Sequence, residues 1–186
     1  MTFYRISTLA KPKDLEFEDY APLVTPSRKF GFHFCGRPLR HKWRPLELEI
    51  SMPLLPRPDF FDFGTGVFVC NQHARDLAGE ALEMAGELLP ASVKGEHGEF
   101  FVFNVTNCIE AIDEKRSTWS KPFPSVRILL KPIFHPEKLG EPTLFKIRED
   151  GGVNIYCVER TGDPDDGEFK AVVEHYGLTG LSFEPL

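Results

Sequence analysis

Three stretches hold the residues whose types could do chemistry. Asp113-Glu114-Lys115-Arg116-Ser117 sets two carboxylates beside two cations and a hydroxyl, with Glu110 just before them. Paired carboxylates can bind a metal or move protons, but acid–base work needs a partner group. No histidine or second acidic motif is tied to this string, so it reads as the solvated end of a helix. Arg28–Arg44, RKFGFHFCGRPLRHKWR, carries six Lys/Arg and no acid, with Phe30, Phe32, Phe34 and Trp43 interleaved. Cations for phosphates and rings for stacking are the ingredients of nucleic-acid binding, and Arg28, Arg37, Arg40, Lys42, Trp43 and Arg44 would carry it. The alternation of the three Phe is also how a strand buries one face. The strand is preferred, because the chain lacks a basic surface overall. A contact for an acidic protein surface is equally compatible.

The third stretch, Asp165-Asp166-Gly167-Glu168-Phe169-Lys170, carries the acids and lysine that metal-dependent nucleases use. Such sets alternate Glu and Lys along a strand beside a separate Asp. Here Asp163 and Pro164 precede the acids, which is how a helix opens. The six histidines form no H-x-H or H-x-x-x-H pair, and His33 with Cys35 has no second pair to complete a zinc site. Cys35, Cys70, Cys108 and Cys157 are far apart, with no C-x-x-C, and read as free, mostly buried thiols. A serine nucleophile elbow, a phosphate loop and a dinucleotide loop are all missing, and Gly64-Thr65-Gly66 and Gly151-Gly152 read as turns. No catalytic residue, metal site or cofactor is therefore expected.

The elements that must position these residues are moderately legible. A chain of 186 residues with 41% hydrophobic and 27% charged residues suits one soluble domain. Its 17 Phe suit a core of sheets, and its 16 Pro and 15 Gly imply many connections. No apolar stretch reaches membrane-spanning length, and the first residues lack the basic start and apolar block of a signal peptide. The expectation is a cytoplasmic protein. Its net charge of −6 is uneven, +4 over residues 1–58 and −10 over residues 59–186.

Residues 1–58 hold half the prolines and read as an irregular, basic arm on the body, with strands at Tyr4–Ile6 and Leu46–Ile50. Val67–Val69 reads as a short buried strand. Asn71 then caps a helix over residues 72–89, with Ala74, Leu77, Ala78, Ala81, Ala85 and Leu88 on its apolar face and Pro90 ending it. Phe100–Val105 reads as a buried strand. Asn107 and Glu110 form a capping box that opens a short helix with Ile109 and Ile112 on one face. After an irregular link at Trp119, Val126–Phe134 is a strand broken by Pro132. Thr143–Ile147 and Val153–Val158 form a hairpin around Asp150-Gly151-Gly152. The last helix, residues 164–176, has Phe169, Val172, Val173 and Tyr176 on one face and ends at Gly177, before a strand at Leu181–Phe183. Strands and helices mix without regular alternation. The predicted fold is α+β, a mixed or antiparallel sheet with two main helices and a Pro-rich irregular N-terminal third, in a single domain over residues 1–186.

Several of these pieces together resemble bacterial polymorphic-toxin immunity proteins. They are the helix opening at Asn71, Leu88-Leu89-Pro90, Phe103-Asn104-Val105, Ala111-Ile112-Asp113 with Ser117, Leu144-Phe145-Lys146, Ile155–Val158 and the ending Gly177–Phe183. The likeness covers roughly residues 60–186, and the family's helix-start Ser is Asn71 here. It implies a cytosolic, non-catalytic protein that binds a cognate toxin and blocks its active site, with no catalytic residue to carry over. A body of charge −10 suits steering a basic toxin, so Glu110, Asp113, Glu114, Asp165 and Asp166 are the expected contacts. The alternatives are a nucleic-acid module built on residues 28–44 and an enzyme of unknown class. Oligomeric state is left open.

Overall fold

The computed structural model describes residues 1–8, 24–26, 33–51, 57–123 and 126–186. It is α+β, as its sequence predicts. Among the described residues there are thirteen strands: β1 (Thr2–Ser7), β2 (Val24–Pro26), β3 (Leu46–Ile50), β4 (Phe60–Asp62), β5 (Phe68–Asn71), β6 (Gly86–Val93), β7 (Phe100–Val105), β8 (Cys108–Ile109), β9 (Thr118–Phe123), β10 (Val126–Lys131), β11 (Leu144–Ile147), β12 (Ile155–Glu159) and β13 (Ser182–Pro185). The described residues also form two α-helices, α1 (Gln72–Ala85) and α2 (Phe169–His175). One sheet has the order β2-β3-β6-β7-β5-β4, a second β13-β1-β12-β11-β8, and β9 and β10 pair with each other. All pairs are antiparallel except β3 with β6 and β11 with β8.

The stretch expected as an arm supplies strands to both sheets. β1 is an interior strand of the five-stranded sheet, between β12 and β13. The predicted sites Arg28, Phe30 and Phe32 lie outside the described residues.

Three packed clusters hold the sheets together. The first joins Phe68, Phe103 and Leu88 of the larger sheet to Leu144, Ile155 and Cys157 of the smaller one through α1 and α2. The second covers the opposite face of the larger sheet, where Phe34, Leu39, Trp43 and Phe63 close over Leu48, Leu89, Phe100 and Val102. The third lies on the other face of the smaller sheet, around Phe134, Phe145, Tyr156 and Val158. Strand β7 thus sends Phe103 to one cluster and Phe100 and Val102 to another, as a strand buried on both faces must.

Four expectations need correction. The first helix stops at Ala85, and Gly86 to Val93 is a strand. Glycine is a poor helix former, and here it is also sterically required: a Cβ on Gly86 would stand 2.2 Å from the Asn104 carbonyl oxygen. Extended backbone sends Leu88 and Leu89 into different clusters, whereas a helix would point them about 100° apart on one cylinder. Pro90 is tolerated within the strand because the ladder to β3 begins only at Ala91.

The helix expected after Asn107 is not formed either. Asn107 donates its side-chain amide to the Leu144 carbonyl, and Cys108–Ile109 pairs with β11. Asp113, not Asn107, takes up the free N–H groups there, accepting from Lys115 and Arg116 in a tight turn. The last helix is split: a 3-10 turn at Pro164–Asp166, capped by Asp163, ends at left-handed Gly167. α2 then starts at Phe169, and Tyr176 falls at its exposed C-cap. Finally, only Cys70 and Cys157 are buried; Cys35 is exposed and Cys108 half-buried. Among the described residues, no helix is long and apolar enough to cross a membrane.

Candidate functional site

The acids expected as partner contacts are largely engaged inside the protein. Glu110 pairs with Arg148 at 2.7 Å, both well exposed. Glu114 pairs with Arg127 at 3.1 Å. Asp113 organises the turn that leads to Ser117, whose hydroxyl accepts from the Ile133 N–H at 2.8 Å. Asp166 accepts from the Thr161 hydroxyl, and Asp165 donates its N–H to Asp163. Among the described residues, no hydrogen bond or ion pair joins the 110–114 group to the 165–166 group. Glu168, beside them, is buried and accepts from the N–H groups of Arg160, Thr161 and Gly162. It holds that turn in place.

The basic aromatic stretch is divided. Arg37, Arg40, Lys42 and Arg44 keep their side chains exposed. Trp43 is turned onto the sheet: its ring packs in the second cluster, edge-on to Phe34, and its Nε1 donates to the Pro90 carbonyl at 2.9 Å. Glu87 fastens the same segment by accepting from the N–H groups of Leu39 and Arg40. The two described rings of this stretch, Phe34 and Trp43, therefore pack against the core.

Lys146 lies beneath this segment with no exposed surface. Its Nζ donates to the Phe34 carbonyl, and burial holds its ammonium down at about 8. Half-buried Cys108 is close by, its thiol pushed up by burial. A buried lysine of β11 was visible in the sequence only as a polar residue in an apolar strand.

The β9–β10 ribbon is the feature that sequence reasoning missed, since Trp119 to Phe123 reads as an irregular link. Inward, Trp119 and Leu129 pair across the two strands and pack on the third cluster. Outward, Phe123, Ile128 and Leu130 are 67%, 48% and 55% exposed. Arg127 lies 3.8 Å above the Trp119 ring, near enough for a cation–π contact, while also holding Glu114. The turn at Asp113–Ser117 joins the ribbon's base, because Asp113 N–H and the Ser117 hydroxyl both bond to Ile133.

Lys115, Arg116, Lys121, Arg127 and Lys131 are exposed along the ribbon and the turn at its base, against Asp113 and Glu114. The ribbon's edges are guarded. Pro122 offers no N–H, Lys121 and Lys131 are charged, and the register shifts twice along the pair. These features disfavour the addition of another strand at the ribbon's edges.

Among the described residues, no three His, Cys, Asp or Glu side chains gather as a metal ion would require. No protein-family model matches the chain, and no curated protein matches it.

Proposed function

We propose that this chain is a binding protein of the toxin-immunity type, which takes its partner on the β9–β10 ribbon. The observation that carries the reading is the outward exposure of Phe123, Ile128 and Leu130 on a strand pair that, among the described residues, packs on the body through Trp119 and Leu129. Apolar side chains rimmed by charge are how a protein interface is composed. The charge around them is positive on balance, so the partner surface is acidic and apolar. Glu114 takes part as the residue that fixes Arg127, and Asp113 bonds to Ile133 at the ribbon's base. Asp165 and Asp166 belong to a separate turn and are not needed for this docking face. Blocking by surface complementarity requires no chemistry from this chain.

The test is coexpression with a toxin domain encoded beside its gene. A one-to-one complex and protection from growth arrest are expected, with both lost in Phe123→Asp/Leu130→Asp while the circular dichroism is unchanged. Protection that survives the double substitution would remove the ribbon as the site. An adjacent toxin that neither binds nor is neutralised, or a gene with no toxin beside it, would remove the immunity reading itself.

A further inference from the structure

Cys108 of β8 and Lys146 of β11 are direct partners in a parallel strand pair, so their side chains leave the sheet on the same face. The chain at Phe34–Gly36 lies over both. The Phe34 carbonyl accepts from Lys146 Nζ. Gly36, two residues on, rests against Cys108: a Cβ there would stand 2.6 Å from Cys108 Cβ and 2.9 Å from its Sγ. Cys35 is the residue between these two contacts. Its own backbone is packed on the β11–β12 turn, where a Cβ on Gly152 would stand 3.2 Å from Cys35 Cα. Consecutive Cα atoms are only about 3.8 Å apart, so Cys35 lies one residue step from the backbone that touches Cys108.

The rest of the segment is fastened as well. Asn104 donates its side-chain amide to the Arg37 carbonyl at 2.9 Å, and Glu87 accepts from the N–H groups of Leu39 and Arg40. Gly36 has φ +83°, and only a residue without a side chain can settle on Cys108 in this way. The two thiols also differ from the other pair in access. Cys35 is exposed and Cys108 half-buried, whereas Cys70 and Cys157 are buried in the first cluster.

From this arrangement we infer that Cys35 and Cys108 are a thiol pair that a low-molecular-weight disulfide of the glutathione class closes into an intramolecular bond. The Cys35 thiolate attacks one sulfur of the glutathione disulfide; that S–S bond breaks, and a glutathione thiolate leaves with its electron pair. Cys108 then gives its proton to solvent and attacks the Cys35 sulfur, which releases the second glutathione thiolate. Two protein thiols are oxidised, and one glutathione disulfide is reduced to two glutathione thiols. Cys35 makes the first attack because it is exposed. Burial pushes the Cys108 thiol up, against the lowering effect of Arg148 and Lys146, which suits it to the second step. The bond fastens the segment that carries Arg37, Arg40, Lys42 and Arg44 to β8. It uses none of the residues of the ribbon and does not depend on the immunity reading.

The reduced full chain is treated with glutathione disulfide, trapped with iodoacetamide, and read by intact mass and peptide mapping. The native chain should lose the mass of two hydrogens and yield one cross-linked peptide pair containing Cys35 and Cys108. Its thermal midpoint should rise, because the bond closes a long loop, and dithiothreitol should reverse both changes. Cys108→Ser should stop with one glutathione on Cys35, and Cys35→Ser should react at least tenfold more slowly. A native chain that stays reduced or stops at the glutathione adduct, a bond to Cys70 or Cys157, an unaltered rate in Cys35→Ser, or an oxidised protein that melts no higher than the reduced one would each overturn the assignment.

Discussion

Replacing Lys146 by methionine should leave the protein as stable as before or more stable at neutral pH, and should change how its stability depends on pH. The lysine is wholly buried, and its Nζ donates to the Phe34 carbonyl. Folding lowers its pKa from 10.5 to about 8, and burial is the leading cause. That difference corresponds to about 3 kcal/mol against the folded state wherever the unfolded chain keeps its proton. Below about 8 the whole penalty is present. Between about 8 and 10.5 the folded protein has lost the proton and the unfolded chain still holds it, so stability rises with pH. Above 10.5 the term is absent. Methionine has similar length and no charge, but it leaves the Phe34 carbonyl unpaired, at about 1–3 kcal/mol. The two effects leave a net gain of about 0–2 kcal/mol near neutral pH. Urea unfolding of both proteins at neutral pH and near pH 10 reads the difference directly. Cys70 and Cys157, whose thiols burial pushes up to about 12, lose stability over the same alkaline range, but equally in both proteins. The native chain should therefore close on the variant by about 2 kcal/mol as the pH rises. Parallel pH curves would refute the idea that a buried, destabilising ammonium sits at this position.

Two further changes test the turns that shape the molecule. Gly66→Ala should cost clearly more than Gly95→Ala, though both positions have left-handed φ, because a Cβ at Gly95 meets nothing while one at Gly66 strikes Val153. The Gly95 change should cost about 1–2 kcal/mol by conformation alone, and equal losses in thermal melts would show that the Val153 contact is not tight. Glu168→Gln should cost about 1.5–3 kcal/mol at neutral pH, since a charged acceptor of three backbone N–H groups is lost. Burial raises the carboxyl, but these donors outweigh it and hold it below 4.5. The stabilisation is present above 4.5 and disappears as pH falls through the lowered folded value, so native and variant proteins should converge in acid. A constant gap in denaturant midpoints down to strong acid would contradict it.

The sequence told most where short-range rules decide the outcome. Asn71 caps α1 by accepting from Ala74, Gly151 and Gly152 turn the β11–β12 hairpin, and Gly177 ends α2 with Leu178 folded back onto Val173. It misled where a long-range contact overrides local preference. Helical spacing runs through Leu88, yet the approach of Gly86 to the Asn104 carbonyl, and the demand for side chains on both faces of the larger sheet, end the helix early. The capping-box pattern at Asn107 lost to a similar competitor, since Asn107 joins the two sheets through Leu144 and Lys146. The ribbon was hidden because one of its two strands, Thr118–Phe123, looks like a loop, and only pairing across the chain shows which side chains of its partner face out.

Part of the acidic charge of the body is opposed within the fold. The −10 over residues 59–186 suggests a field free to steer a basic partner, but a charge already opposed within the fold contributes little field at a distance. Glu96 holds Arg57 of the basic segment, Glu87 holds the N–H groups of Leu39 and Arg40, and Glu159 holds Lys170. Folding places part of the basic third directly over the acidic two-thirds. What stands out locally is the cationic ribbon and its base, with five exposed Lys/Arg, of which Arg127 is held by Glu114. If that charge guides association, rising salt should slow complex formation while leaving dissociation nearly unchanged, because exposed rim charges act mainly on the encounter rate. The apolar row of Phe123, Ile128 and Leu130 would then set the lifetime of the complex. On the proposed docking, charge and apolar contact would have separable kinetic roles on one small surface.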